Sequence, residues 1–404
     1  MPDLNVLSFL ERFTKILYEK MKAINLGIED LELYEFQYAL DNLTPENGDW
    51  NSIETTQKEE IEALVNRDDF YSNIQLKPRA GDRIVLDEKI VWLTRVLFVG
   101  LVTGEYPEEW ILKHFYFDIR GFYFLHRTVY FTDPVLAHFG GHPWMCFEQK
   151  QRSFERSQEL GYKAFKEANA SVDQAFIDMV LKLVPIKGTP LLLAIAGPTA
   201  AGKTEIVSRL RSVLEQVDEK VASIEMDNFL TDRDYREAKG IHTLGKEAIH
   251  LELFRHSLEQ ICQGHQISIP RYDFVFATSS HDLDGNLKAD GVPLEIEPAD
   301  IIFVEGNFPF LLKEVAGLIG IKVVYLTDDP IRLKRKWKRD IDYRKKYEPT
   351  YFRNRFFKDQ FLMAQKCYRP QMEVCDILVD TTGAAIWAVP EISAISTGEN
   401  VIER

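Results

Sequence analysis

The residues best equipped for chemistry lie in Gly197-Pro198-Thr199-Ala200-Ala201-Gly202-Lys203-Thr204, where two glycines bracket four residues and a lysine and a hydroxyl follow. Before this stretch, Leu191–Ala196 is an apolar run short enough to be a buried strand. After it, EIVSRLRSVLEQ has the apolar spacing of an amphipathic helix. A glycine-bearing loop between strand and helix is built to hold phosphate, because its backbone N–H groups and the first helical turn converge on an anion. Gly197, Thr199, Ala200, Ala201, Gly202, Lys203 and Thr204 are therefore the expected nucleotide-binding residues. Lys203 would place a charge on the β/γ-phosphates and act in catalysis, and the Thr204 hydroxyl would ligate Mg²⁺. The same glycines could instead serve only a tight turn at a helix N-terminus.

Two acids are candidates for the rest of a phosphoryl-transfer site. Asp227 follows the strand-like VASIEM, and Glu305 follows the apolar IIFV. Transfer to an alcohol needs one carboxylate to orient the hydroxyl and accept its proton, and another near the metal. Asp227 suits the first role and Glu305 the second. Helix capping by Asp227 and simple solvation of Glu305 are the alternatives. His138, His142 and Cys146 recur at four-residue spacing, which on one helix could hold a metal. Gly140-Gly141 and Pro143 interrupt that helix and no fourth ligand is near, so two ordinary histidines in a turn fit better.

The elements that must position these residues are legible in outline. Apolar residues at helical spacing run through Leu4–Ile24 and Leu31–Leu40, and again through IVLDEKIVWLTRVLFVGLV. Trp110–Phe131 is dense in aromatics, as expected of a large buried core or a face packed on another domain. Helical patterns continue through Phe147–Leu183, and Val184–Pro190 reads as a linker. Beyond Leu191 the pattern alternates. Strands are expected at 221–226, 266–270, 301–304, 321–326 and 375–380, with helices at 248–264 and 329–344. The fold class expected is α/β, a P-loop NTPase-type parallel sheet with helices on both faces, preceded by a mostly α-helical domain. The boundary falls between residues 1–187 and 188–404. Ligands of such sheets bind at the carboxyl ends of the strands, where Asp227 and Glu305 stand.

Composition narrows the function classes. The 404 residues are 45% hydrophobic, enough for two cores, and the formal net charge is −14. That charge argues against a nucleic-acid binder, whose affinity comes mostly from neutralising phosphates. Residues 1–70 hold 16 acidic against 6 basic side chains, whereas 332–346 is basic. Four scattered cysteines without a CxxC fit free thiols in a reducing cytoplasm. No basic n-region precedes the first apolar residues, so no secretory signal is expected, nor is any run long enough to cross a bilayer. The state of oligomerisation stays open.

From Leu191 onward the chain resembles the uridine kinase / phosphoribulokinase group of P-loop kinases. The resemblance is carried by GPTAAGKT and by Met226-Asp227-Asn228-Phe229, similar to the family's Asp-Ser-Phe-Tyr. Ile269-Pro270-Arg271-Tyr272-Asp273-Phe274 is similar to its IPxYDF segment, and Ala299–Gly306 to its second nucleotide-site strand. Arg332–Arg335 and Lys338-Arg339-Asp340 resemble its basic lid helix. It implies ATP and Mg²⁺ as cofactors and a small-molecule hydroxyl as acceptor. It also implies Asp227 as base and substrate contact, Tyr272 and Phe274 as substrate-pocket aromatics, and Arg335, Arg339 and Arg344 closing on the transferring phosphoryl group. A buried structural role is the alternative for Tyr272. A solvated helix face, or an RNA contact, is the alternative for the basic run.

Departures from that family concern the acceptor. Leu244-Gly245-Lys246-Glu247-Ala248-Ile249-His250 stands where uridine kinases carry Asp-His-Pro-x-Ala-Phe-Asp, so acids expected to hold a ribose are missing. Ala277 stands where a base-reading histidine is expected, and the lid's Arg-Gly-Arg is Arg344-Lys345-Lys346. Changed hydrogen-bonding partners imply a changed acceptor. Two rivals follow. One is a nucleotide-binding regulatory module with little turnover. The other is an enzyme like the tRNA dimethylallyltransferases, whose loop GPTAAGKT resembles but whose Ser-Ala-Asp-Ser-x-Gln-Val-Tyr stretch is replaced here by MDNFL.

Overall fold

The computed structural model describes residues 4–24, 28, 33–40, 43–65, 77–78, 84–85, 88–118, 123–126, 131, 133–147, 169–241, 245–326, 367–381 and 384–397. Among them, seven strands form the central sheet: β1 (Met145–Cys146), β2 (Leu191–Ala196), β3 (Val221–Glu225), β4 (Ile301–Gly306), β5 (Ile321–Leu326), β6 (Ile377–Asp380) and β7 (Ala385–Ala388). Their spatial order is β1-β7-β6-β5-β2-β4-β3. β6, β5, β2, β4 and β3 are parallel, and β7 and β1 continue the sheet antiparallel. The sheet is thus mixed rather than wholly parallel. Parallel strands are buried on both faces, which is why β2 and β4 read as unbroken apolar runs.

Alternation along the strands sorts the core into two layers. Leu191, Leu193, Ile195, Phe303, Val323 and Tyr325 share a cluster with Phe176 and Val180 of the helix Ala170–Lys187 and with Ile206 and Leu210 of the helix Lys203–Glu215. On the other face Leu192, Ala194, Ile302, Val304 and Val324 share one with Phe254, Leu258 and Ile261 of the helix Leu251–Cys262. Helices therefore cover both faces, as expected of an α/β fold.

The second cluster continues into the N-terminal half, through Phe13, Leu17 and Met21 of the helix Leu4–Ile24 and Leu93, Leu97 and Phe98 of the helix Glu88–Thr103. The aromatic-rich stretch begins in the helix Glu108–His114 and continues as two antiparallel strands, Phe115–Asp118 against Tyr123–His126. Phe117 and Phe124 are buried beside Phe98, with ring centroids 5.0–6.1 Å apart, so these aromatics form core.

Three elements depart most from the sequence reading. The helix expected to end at 183 runs to Lys187 through Pro185, leaving only 188–190 to connect it to β2. Its neighbours explain why: Val180, Leu183 and Val184 are buried on the sheet, and that packing outweighs the proline. Ile267–Ile269 pairs antiparallel with Leu294–Ile296 outside the central sheet, forming with Tyr272–Asp273 and Thr278–Ser279 a pair of hairpins. The helix expected at 248–264 begins only at Leu251. Position 188, where the sequence reading divides the chain, is crossed by packing. β1 hydrogen-bonds to β7, the His138 ring nitrogen Nε2 lies 2.7 Å from the Cys375 carbonyl, and Phe131 stacks obliquely on Trp387. His138 is held by that carbonyl, and no metal-holding group of His, Cys, Asp or Glu forms among the described residues. No helix among them is long and apolar enough to cross a membrane.

Candidate active site

The glycine-bearing loop runs from the end of β2 to the helix Lys203–Glu215, and backbone contacts fix its path. The Gly197 N–H donates to the Gly306 carbonyl (3.2 Å), tying the loop to β4, and the Ala201 N–H donates to the Pro198 carbonyl (3.1 Å). Gly197 admits no side chain, because a Cβ there would lie 2.3 Å from the Tyr325 carbonyl oxygen of β5. Gly202 precedes the helix at φ +103°, a left-handed value natural only to glycine, and Ala200 holds φ +62°. A left-handed alanine costs about 1 kcal/mol or more and marks a turn held by its surroundings.

The helix beginning at Lys203 carries the loop's two reactive side chains. The Lys203 ammonium donates to the carbonyls of Gly197 (3.0 Å) and Pro198 (3.1 Å), which keeps it folded over the loop. The Thr204 hydroxyl donates to both carboxylate oxygens of Glu305, at 3.2 and 3.1 Å. Glu305 is the last residue but one of β4, buried, and level with Ile195 of β2 and Glu225 of β3. Desolvation is the main reason its carboxyl is pushed up to about 7, with the Glu225 and Asp227 carboxylates adding to it. Lys203 and the Thr204 hydrogen bond oppose the rise. Glu225 keeps an exposed edge, yet crowding by its surroundings, and then Asp227, push its carboxyl up as well, again against Lys203.

Three carboxylates and one ammonium therefore share the carboxyl ends of β3 and β4. Sequence reasoning found Asp227 and Glu305 but missed Glu225, an acid two residues earlier, hidden because it was read as part of the strand. This donor set, a hydroxyl and a buried carboxylate with raised proton affinity beside the glycine-bearing loop, fits a divalent cation.

Asp227 sits in a 3₁₀ turn, Met226–Phe229, packed tightly under β4: a Cβ on Gly306 would lie 2.7 Å from that of Met226. The next residue ties this turn to the hairpins, since the Asn228 side-chain oxygen accepts from the Tyr272 N–H at 3.2 Å. Tyr272 itself is buried. Its hydroxyl accepts from Arg236 Nη2 at 2.7 Å, and the guanidinium also lies 5.8 Å from the ring centroid. Phe274, half-buried, meets the Tyr272 ring edge-on at 5.1 Å. Arg236 also donates through Nε to the Thr231 carbonyl (3.0 Å), and Arg233 Nε is buried without a hydrogen-bond partner among the described residues. Neither arginine was anticipated, because nothing in RDYREAK distinguishes a buried guanidinium nitrogen from a solvated one. Ala277 is buried at φ +59° and gives its carbonyl to the Arg233 N–H (2.9 Å), so this position serves the hairpin turn. Of the segment 244–250, His250 is buried and its imidazole is held below the usual range, first by desolvation and then by nearby His281. The basic run 332–346, with Arg335, Arg339 and Arg344, lies outside the described residues, as does Leu244.

Residues 192–385 match the model of the "Phosphoribulokinase / Uridine kinase family". Among curated proteins, a uridine kinase of Lactobacillus helveticus is 26% identical over 197 residues, which cover 48% of this chain and 88% of that one. Uridine kinase-like protein 4 of Arabidopsis thaliana is 29% identical over 158 residues, 38% of this chain but only 31% of the plant protein. Uridine-cytidine kinase 2-B of Danio rerio is 30% identical over 165 residues, 38% of this chain and 59% of its own length. The solved structure of a possible uridine kinase from Bacillus stearothermophilus aligns over 52% of this chain and 98% of its own, with 21% identity and a TM-score of 0.35.

Proposed function

We propose, for a chain whose residues 192–385 belong to the phosphoribulokinase / uridine kinase family, that it transfers the γ-phosphoryl group of ATP to a hydroxyl of a small molecule. The observation that carries this reading is the alignment of Lys203, Thr204 and Glu305 on one side with Asp227 at the neighbouring strand end. Backbone N–H groups of 197–204 hold the phosphates, and Lys203 moves from the loop carbonyls to the β/γ-phosphates. Thr204 and Glu305 would hold Mg²⁺, which when bound neutralises charge on the phosphate oxygens. Asp227 orients the acceptor hydroxyl and takes its proton as the phosphoryl group leaves ADP. Arg335, Arg339 and Arg344 are assigned to closing the site over that group. Catalysis is then positioning and electrostatics rather than covalent chemistry.

The acceptor differs from a nucleoside in this reading. Tyr272 is committed to Arg236, and Ala277 to a turn, so neither offers a free group to a uracil ring. The unpartnered Arg233 Nε beside them favours an acceptor that brings its own hydrogen-bond acceptors, such as a carboxylate or carbonyl. A cytoplasmic setting fits the four free cysteines. ADP release from Mg·ATP against uridine, cytidine and a set of hydroxy acids tests both parts. Acceptor-dependent release supports a kinase, and a hydroxy acid outperforming uridine supports the altered pocket. Nucleotide binding without turnover on any acceptor would favour the regulatory rival.

A further inference from the structure

A carboxylate from outside the family-matched segment stands directly behind the phosphate loop. Asp173 lies in the first turn of the helix Ala170–Lys187 and is 4% exposed. One of its oxygens accepts from the Tyr325 hydroxyl at 2.7 Å, and the other from Arg209 Nη1 at 2.5 Å. Both partners belong to elements that frame the loop. Arg209 is on the helix that begins with Lys203 and Thr204. Tyr325 is near the end of β5, one residue past the pairing of Val324 with Ala196, and its carbonyl is the atom that forbids a side chain at Gly197. One carboxylate therefore joins the helix that leaves the loop to the strand against which the loop begins.

Stability alone is a poor reason for this arrangement. Burying a carboxylate and a guanidinium costs several kcal/mol in desolvation, and apolar side chains of similar volume commonly serve stability as well or better. Burial is indeed the main influence on Asp173 and pushes its carboxyl up, against the Tyr325 hydrogen bond and Arg209. What an ion pair gives that apolar packing does not is a fixed mutual placement of three elements. Backbone N–H donors in the loop must meet phosphate oxygens within a few tenths of an ångström, so that placement matters here more than elsewhere in the sheet. We infer that Asp173 is a positioning residue of the phosphate loop, acting through Arg209 and Tyr325, and that the helix Ala170–Lys187 is part of the nucleotide site.

The inference rests on the loop's binding a nucleotide, so the full-length chain is titrated with the fluorescent nucleotide Mg·mant-ADP. Asp173→Asn and Tyr325→Phe are compared with the parent, with far-UV circular dichroism and cooperative thermal unfolding as controls of folding. Asp173→Asn should weaken binding roughly tenfold and Tyr325→Phe about threefold, by displacing the loop rather than removing a ligand contact. The double variant should lose little more than Asp173→Asn alone, because both changes cut the same link. In turnover, KM for ATP should rise while KM for the acceptor stays constant. Tyr325→Phe, which removes one oxygen atom, keeps the test decisive if Asp173→Asn does not fold. Folded variants that bind Mg·mant-ADP as tightly as the parent would overturn the inference. A parent that does not bind it would overturn the reading of the loop itself, and this inference with it.

Discussion

At the scale of single residues, the site is governed by how much charge is forced together at the ends of β3 and β4. Glu305 is ionised in an unfolded chain above about pH 4.5 and holds its proton in the folded chain up to about 7. Between those values the native state binds the extra proton, so the contribution of Glu305 to stability falls as pH rises, by about 1.4 kcal/mol per unit. Glu305→Gln should therefore unfold at higher urea than the parent at pH 8, by roughly 2–3 kcal/mol, with most of that advantage gone at pH 5. Urea titrations at the two pH values check this, and an equal difference at both would refute the assignment. The same variant should weaken Mg·nucleotide binding, since an amide replaces the carboxylate that a cation needs. Gly197→Ala should abolish nucleotide binding by at least 10²-fold, as its methyl group meets a backbone carbonyl that cannot swing aside. Much of this was legible in the sequence: the spacing of Gly197, Gly202, Lys203 and Thr204 carries its mechanism within itself. Glu225 and Asp173 were not, since an acid at the end of a strand, or in the first turn of a helix, looks solvated until a tertiary partner desolvates it.

At the scale of elements, the strands beside the loop were readable because each is an apolar run ended by a polar residue, and a parallel strand buried on both faces must look so. Elements shaped by their neighbours were not. The helix through Pro185 persists because three of its residues are buried on the sheet, and Ile267–Ile269 leaves the central sheet because a hairpin partner lies outside it. The N-terminal half gives a sharper example. Gly100 sits in the last turn of the helix Glu88–Thr103, where glycine costs up to about 1 kcal/mol relative to alanine, yet a Cβ there would lie 2.0 Å from the Tyr106 ring. That ring cannot retreat, because the Tyr106 hydroxyl donates to the Thr56 carbonyl (2.7 Å) and accepts from the Thr56 N–H (3.1 Å). Gly100→Ala should thus destabilise the protein by about 1–3 kcal/mol despite the better helix propensity, as measured by urea unfolding. A neutral or stabilising result would mean that Tyr106 is not pinned.

At the scale of the whole molecule, one cluster of buried residues runs from the N-terminal helices onto the sheet, and β1 from the N-terminal half closes the sheet's antiparallel edge. A fragment beginning at residue 188 would expose Phe176's partners on the sheet and lose β1. It should be less soluble, or melt lower, than one beginning at residue 131, with expression and thermal unfolding as the readouts. The sequence reading divides the chain at 188 from a change of pattern, and the contacts that cross that point are long-range, so no local pattern encodes them. The central claim is narrower: phosphoryl transfer to a hydroxyl, with Asp227 as the group that takes its proton. The direct test is acceptor-dependent ADP formation from Mg·ATP by the full-length chain and by Asp227→Asn, with nucleotide affinity measured on both. We predict turnover that appears only with an acceptor and falls by about 10²–10⁴-fold in the variant, at unchanged nucleotide affinity. Equal turnover in parent and variant would contradict the account.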